Sequence, residues 1–348
     1  ERDIDSILSR ANYYRESGAD VIDIGCLPQE KFPHLEEAVE ALHEAGFKVS
    51  VDSLELDDLR RAGRAGADYL LSLTEETYHL AEEVDSIPIL VPAVPGSLES
   101  LERAMELMDK INRPWIADPI LDPIHFGLTN SIVRYHQLRQ RYPSANIMMG
   151  VGNLTELTDA ETSGINALLF GIISELGVNN VLATEVSPHA RRAIKEADVA
   201  RRMMYAAKED SSLPRDLTSD LLVTHERRPF PDNDQEIEAL ATNIKDPNYR
   251  IKVAEEGIYL FNRDGLMREV DPYAFYPQLD LKGDLGHAFY LGAELAKAQI
   301  AWQLGKRYTQ DQELQWGCAT ILEKEDLTQQ QAEGTTMRTG KKSGPAKQ

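Results

Sequence analysis

Acidic residues that follow apolar runs are the part of this sequence best suited to chemistry. Asp118 and Asp122 lie in residues 115–127, where a buried-strand pattern is stopped by two Asp-Pro pairs. A carboxylate held at a strand end can accept parallel hydrogen bonds from a ring N–H and an exocyclic amine, as it does from a guanidinium. The pattern therefore points to recognition of a flat, nitrogen-rich ring, and this recognition needs no metal.

Similar polar residues recur wherever another apolar run ends. The set comprises Asp23, Gly25, Asp52, Ser53, Ser72, Thr74, Asn153, Thr184 and Glu185. For a single aspartate such as Asp23 or Asp52, capping of the next helix is an equally good interpretation, because Asp is a common cap. Capping explains the whole set poorly, so we expect these groups to face one shared site.

Short apolar segments alternate with amphipathic ones, which predicts parallel strands joined by helical crossovers. The predicted strands cover residues 20–25, 47–52, 68–73, 88–93, 114–118, 146–151 and 179–184. The predicted helices lie near residues 1–17, 35–45, 55–65, 75–84, 97–111, 129–142, 155–175 and 188–208.

Polar groups spread over the ends of six of the seven predicted strands favour an α/β TIM (β/α)8 barrel, because an open sheet would concentrate them at one switch point. The predicted strands are one short of eight. Either the first strand is absent from this sequence or another segment supplies it.

The regular alternation of predicted strands and helices ends at about residue 210. The predicted domains are a barrel over residues 1–210, a small C-terminal α+β extension over residues 211–327 and a disordered tail over residues 328–348. Within the extension we expect a linker at residues 211–234, an antiparallel meander between residues 249 and 270, and a long helix over residues 286–304.

Charge and composition exclude several classes of partner. The chain carries 37 basic and 58 acidic residues, a net charge of −21 that repels nucleic acid and anionic membranes. No run approaches eighteen apolar residues, so no membrane span is predicted. Cys26 and Cys318 form neither a disulfide framework nor a metal-binding spacing, which favours a cytoplasmic location.

Three motifs resemble the pterin-binding superfamily, which contains dihydropteroate synthases and corrinoid-linked methyltetrahydrofolate methyltransferases. They are GADVIDIG at 18–25, VSVDS at 49–53 and ADPILDPIHFG at 117–127. Further stretches resemble the dihydropteroate synthase-like proteins associated with tetrahydromethanopterin synthesis, and they read MGVGNLTELTD at 149–159, HAFYLG at 287–292 and LGKRY at 304–308. The superfamily resemblance covers roughly residues 1–205, and the narrower one extends to about residue 317.

The resemblance implies a barrel whose mouth holds a pterin. Asp118 would accept hydrogen bonds from the pyrimidine N–H and amine, and Asp52 would bond another edge of the pterin. Asp23 would lie below them on the adjacent strand. Asp122 and Phe126 would shape the loop around the ring, with Phe126 flanking it.

Several positions depart from the synthase pattern. Ser72 and Asn153 stand where synthases usually carry Asn and Lys, and in the methyltransferases an Asn at the second place contacts the reduced ring. The synthase residues that hold the diphosphate leaving group are also missing, which removes donors for a developing anion. His189, Arg191 and Arg192 are the candidates to replace them.

The resemblance predicts a transferase that joins a dihydropterin-6-ylmethyl diphosphate to an arylamine in tetrahydromethanopterin biosynthesis. Mg²⁺ would help the diphosphate to leave. Asn153 and the missing cations favour an alternative, a pterin-dependent methyltransferase or methyl carrier, and a non-catalytic pterin-binding subunit is the third interpretation. The apolar face of residues 288–300 predicts a homodimer.

Overall fold

The structure is a computed structural model of the 348-residue chain, and it describes residues 3–27, 31–279, 281 and 283–320. The chain divides into two compact units, Glu1–Leu221 (unit 1) and Leu222–Gln348 (unit 2). The predicted disordered tail at residues 328–348 lies outside the described residues.

Unit 1 alternates strands and helices along the chain. Its strands are β1 (Val21–Gly25), β2 (Lys48–Asp52), β3 (Tyr69–Leu73), β4 (Ile87–Leu90), β5 (Ile116–Ala117), β6 (Met148–Gly150) and β7 (Asn180–Leu182). Its helices are α1 (Ile4–Glu16), α2 (Leu35–Glu44), α3 (Leu56–Arg64), α4 (Leu98–Lys110), α5 (Leu128–Arg141), α6 (Gly152–Thr155), α7 (Thr162–Leu176) and α8 (Ala193–Glu209). The predicted α/β succession is confirmed.

The strands of unit 1 pair in parallel and in chain order. Strands β1 to β5 form one continuous sheet, β6 pairs with β7, and a bridge between Ala117 and Ile147 connects the two groups. Within the described residues, β1 and β7 each pair along one edge only. The sheet is therefore parallel throughout, with one open edge at either end.

Both faces of this sheet are covered, as expected for parallel strands. Val49 and Val51 of β2 point to the helix side and belong to the large apolar core. On the other face, a second apolar cluster contains Leu71, Ile89 and Ile116. Burying each such side chain stabilises the fold by about 1.5–3 kcal/mol.

Three helices of unit 1 differ from the sequence prediction. Residues 75–84 form only a short 3-10 turn, Tyr78–Glu82, since the preceding threonines bond local backbone groups instead. The helix predicted over residues 155–175 begins only at Thr162, as α7, and the one-turn α6 precedes it. Helix α8 begins at Ala193 rather than at residue 188, because Arg192 has a left-handed backbone with φ of 74°.

Unit 2 is a three-stranded antiparallel sheet with helices on both faces. The strands are β8 (Arg250–Ala254), β9 (Gly257–Asn262) and β10 (Gly265–Glu269), and the helices are α9 (Asp234–Thr242), α10 (Pro272–Phe275) and α11 (Leu285–Leu304). The central strand β9 is buried at every position, since α11 contributes to one apolar cluster and α9 to the other.

The predicted meander and long helix of unit 2 are confirmed, whereas α9 was not predicted. Its start carries a capping box between Asn233 and Glu236, at the end of the segment interpreted as a linker. Across the described ranges, no helix combines the length and the apolar character that crossing a membrane requires.

Candidate functional site

Two carboxylates lie near the carboxyl ends of β1 and β2, with Asp52 at the last residue of β2 and Asp23 two residues before the end of β1. The parallel register places Asp23 opposite Ser50 and Gly25 opposite Asp52. The Ser50 hydroxyl donates to Asp23 Oδ1 over 2.6 Å, whereas the Asp52 carboxylate has no hydrogen bond to any described residue. Burial, and then the nearby charge of Asp23, raises the pKa of Asp52 to about 6. Asp52 is thus open to a ligand that donates N–H groups.

A cleft of about 770 Å³ lies at the open edges of β1 and β7, a size typical of small-molecule sites. Strands β1 to β7 each contribute to its lining through Asp23, Asp52, Leu71, Ile89, Ile116, Met148 and Leu182. Thr184 and Glu185, which follow β7, line the same cleft. Its lining combines apolar strand residues such as Leu71 and Ile116 with acidic ones such as Asp52, whereas Asp118 and Asn153 do not line it.

Asp118 follows β5 and is only 7% exposed. Its Oδ1 accepts hydrogen bonds from Tyr135 Oη at 2.7 Å and from the Ile120 amide at 2.8 Å, and its Oδ2 accepts none from the described residues. Burial raises the pKa of Asp118 to about 6, although both bonds and Arg134 act in the opposite direction. One carboxylate oxygen is therefore fixed, and the other is left for a ligand.

The loop after β5 has a strained backbone that Arg134 holds in place. Ile120 has a φ of 66°, which is rare for a β-branched residue. The Arg134 guanidinium donates to the carbonyls of Pro119 and Ile120 and to Asp122 Oδ2 at 2.7 Å. Asp122 is thus engaged with Arg134 and shapes the loop. Neither Arg134 nor Tyr135 was identified from the sequence, because on α5 both resemble ordinary helix residues.

Of the remaining pterin candidates, Asn153 contacts this loop. Asn153 Nδ2 donates to the Leu121 carbonyl over 2.7 Å and so ties α6 to the loop after β5, while its Oδ1 has no donor among the described residues. Ser72 follows Leu71 on β3 and is partly buried. Phe126 is 82% exposed and has no fixed position against the floor. The structure therefore brings Asn153 to the Asp118 loop and leaves Phe126 at the rim.

The leaving-group candidates precede α8 instead of lying on it, which corrects the sequence prediction of a helix from residue 188. The His189 Nε2–H donates to the Thr155 carbonyl at 3.1 Å. Arg191 and Arg192 form no ion pair with any described residue, and no side chain caps the amides at the start of α8. Across the parts of the chain that the structure describes, no cluster of His, Cys, Asp or Glu side chains is arranged to hold a metal ion.

Glu156 is a site residue that the sequence interpretation missed. Its two carboxylate oxygens accept hydrogen bonds from the consecutive amides of Val186 and Ser187, each at 2.8 Å. Next to this contact, a Cβ at Gly152 would lie 2.6 Å from Thr184 Oγ1, so only glycine permits the approach of the two loops. The available signal was the position of Glu156 just after the glycine-rich turn. Its hydrogen-bond partners lie about thirty residues later in the sequence, so no local pattern pointed to them.

In comparisons with known proteins, no family model matches the chain. The chain is 30% identical over 346 residues to the uncharacterized protein MJ0107 of Methanocaldococcus jannaschii, a match that covers 87% of this chain. It spans 65% of the length of that relative.

Several solved dihydropteroate synthases are similar to part of the chain. The Yersinia pestis enzyme with a pterine-sulfa conjugate has a TM-score of 0.46 at 16% identity, covering 60% of this chain and 90% of that one. The Coxiella burnetii enzyme in complex with pteroic acid has a TM-score of 0.47 at 16% identity, covering 60% and 87%. The residues of the site, rather than these likenesses, carry the functional assignment.

Proposed function

We propose that this chain binds a pterin at the carboxyl ends of its strands and acts as a transferase of the dihydropteroate synthase type. The observation that carries the proposal is Asp118, whose Oδ1 is fixed by Tyr135 and Ile120 while Oδ2 stays open. A pterin presents a ring N–H beside an exocyclic amine, and a carboxylate oriented in advance accepts such donors at little entropic cost. Asp52, on the other side of the mouth, would accept from a second edge of the ring.

The fold that fits this function is a TIM (β/α)8 barrel with one strand position open. Support comes from strands β1 to β7, which pair in chain order and all line one cavity. In a closed barrel the inner side chains of every strand meet in this way. One strand of about five residues between β1 and β7 would complete the ring.

The proposed reaction is a substitution at the methylene carbon of a dihydropterin-6-ylmethyl diphosphate. The nitrogen of an arylamine forms a bond to this carbon, the carbon–oxygen bond to diphosphate breaks, and diphosphate leaves with the electron pair. The arylamine then loses a proton to solvent. Arg191 and Arg192, beside the uncapped start of α8, are the candidates to hold the leaving group. Mg²⁺ would share that charge.

Tetrahydromethanopterin biosynthesis is the proposed setting, since the motifs over residues 149–159 and 287–308 resemble that group of proteins. A second candidate function is transfer of a methyl group from a methylated reduced pterin. Two observations favour it: Asn153 presents an unbonded Oδ1 near the Asp118 loop, and Glu156 fills an amide pair at the end where a diphosphate would leave.

Calorimetric titration of the wild-type chain with three ligands separates these functions. The ligands are a dihydropterin diphosphate, the same pterin without diphosphate, and methyltetrahydromethanopterin. The synthase proposal predicts affinity for the pterin and a gain from the diphosphate. Preference for the methylated cofactor supports the methyltransferase, and binding without turnover supports a non-catalytic subunit. No affinity for any pterin contradicts all three.

A further inference from the structure

The connection between β7 and α8 contains a pair of backbone amides that already hold an anion. Val186 and Ser187 are consecutive, and their N–H groups each donate over 2.8 Å to a different oxygen of the Glu156 carboxylate. Consecutive amides that converge on one anion form the type of backbone nest that also binds phosphate. The anion in this nest comes from the chain itself.

Amide and hydroxyl donors, rather than a basic side chain, stabilise the charge of Glu156. Burial raises the pKa of Glu156, but the hydrogen bonds from Val186 and Ser187 outweigh that effect and lower it overall. No Lys, Arg or His of the described residues forms an ion pair with it. A second anion at the same amides would meet donors that are already occupied and would be repelled by the Glu156 carboxylate.

We propose that Glu156 is a specificity-determining residue that occupies the nest of Val186 and Ser187 and excludes phosphate-bearing ligands from it. This inference deepens the proposed function and rests on it for the location of the ligand. It divides the leaving-group end into two parts: the loop amides are closed to a ligand anion, and the side chains of Arg191 and Arg192 are the donors that remain.

A purely structural role for Glu156 makes a different prediction. Two further contacts join the same loops, the close approach of Gly152 to Thr184 and the bond from His189 to the Thr155 carbonyl. If Glu156 only provided a third contact between these loops, its removal would lower the stability of the fold and leave the affinity for phosphate unchanged. A specificity residue must change the affinity for the anion itself.

The test measures binding of inorganic phosphate and of pyrophosphate to the full chain, with no pterin present. Glu156→Ala empties the nest and removes the charge, so we expect both anions to bind about tenfold more tightly than to wild type. Glu161→Ala is the matched control, because Glu161 is an exposed acid just before α7 that bonds neither amide. It should bind phosphate as wild type does.

Folding of each variant is checked by far-ultraviolet circular dichroism. If Glu156→Ala does not fold, Glu156→Gln replaces it. Glutamine fills the same space but is neutral, so it should still reduce the electrostatic repulsion of phosphate. A folded variant that binds phosphate no better than wild type, or a Glu161→Ala gain of equal size, overturns the proposal. Because these titrations contain no pterin, their failure is distinguishable from failure of the pterin site.

Discussion

Tyr135 donates a hydrogen bond to Asp118 over 2.7 Å, and both side chains are buried beside the carboxyl end of β5. Burial and the Asp118 charge raise the pKa of Tyr135 well above its ordinary value, so its hydroxyl stays protonated and remains a donor. The bond orients the carboxylate so that Oδ2 is the oxygen available to a ligand. Tyr135 is thus a positioning residue that acts through Asp118.

Tyr135→Phe is expected to raise the pKa of Asp118 above its value of about 6, because the variant removes a bond that favours the charged form. Pterin affinity at pH 7 should then fall about twofold to fivefold, because a smaller fraction of Asp118 is charged at that pH and the carboxylate is less well oriented. The measurement is the pH dependence of binding, whose midpoint should move upward. Tyr142→Phe, at the end of the same helix, is the control. An unchanged midpoint in Tyr135→Phe would remove the positioning role.

Asp118→Asn should stabilise the protein at high pH while it weakens pterin binding. The pKa of Asp118 is raised from 3.8 to about 6 in the folded state. The contribution of protonated Asp118 to the free energy of unfolding is therefore complete below pH 3.8 and is lost as the pH rises through 6. Asparagine cannot ionise, and the variant should gain about 3 kcal/mol at pH 8 and little at pH 4. Urea unfolding at both pH values measures the difference.

Asp122→Asn is the contrasting variant for that experiment. Asp122 is paired with Arg134 at 2.7 Å, so loss of its charge should destabilise the chain at pH 8. Equal effects of Asp118→Asn at pH 4 and pH 8 would mean that the charge of Asp118 is not a source of instability.

Pterin affinity of the wild-type chain should fall as the pH is lowered through 6. Asp52 and Asp118 both have a pKa raised to about 6, chiefly by burial, and only their charged forms accept strong hydrogen bonds from the ring. With two groups titrating, the affinity should fall more steeply than for one proton. Calorimetry between pH 5 and pH 8 tests this. An affinity that is constant over that range would show that neither carboxylate binds the pterin in its charged form.

Gly152→Ala should destabilise unit 1 by about 1–3 kcal/mol, because the added Cβ would lie 2.6 Å from Thr184 Oγ1 and force the two loops apart. Gly164→Ala is the control, since a Cβ on this α7 residue meets no atom within 4 Å and should favour the helix. Adding Thr184→Ala to Gly152→Ala should restore part of the loss. Denaturant unfolding measures all three, and equal behaviour of the two glycine variants would contradict the close approach.

Glu294→Gln should destabilise unit 2 by about 2 kcal/mol. The Glu294 carboxylate is buried and accepts hydrogen bonds from Tyr308 and Lys297 at 2.6 Å each, so loss of its charge leaves both donors poorly satisfied. Two of the three tryptophans, Trp302 and Trp316, lie in unit 2, so tryptophan fluorescence in a Trp115→Phe background follows its unfolding. Glu256→Gln, in the exposed turn between β8 and β9, should have no effect, and an equal loss there would contradict the network.

The sequence predicted those parts of the structure that depend on local patterns. Apolar alternation placed β2 and its Asp52, and the two Asp-Pro pairs placed Asp118 at a strand end. Local signals also account for two errors, because the threonines before Tyr78 compete with a helix and the capping box at Asn233 was overlooked.

The other site contacts join residues far apart in the chain, and no local pattern reports them. Glu156 contacts Ser187 because the fold brings the segment after α6 next to the loop after β7. Tyr135 reaches Asp118 only because α5 packs over the end of β5. The sequence therefore identified the carboxylates of the site, whereas their pKa values and available atoms became known only from the fold.

Binding of a dihydropterin to Asp118→Asn, compared with wild type at pH 7.5, tests the central claim most directly. Asp57→Asn, on the exposed surface of α3, removes one negative charge away from the site and serves as the control. We predict that Asp118→Asn stays folded and loses affinity by about a hundredfold, the effect of losing a charge-assisted hydrogen-bond pair, while Asp57→Asn binds as wild type does. A folded Asp118→Asn chain that binds the pterin with wild-type affinity would contradict the account.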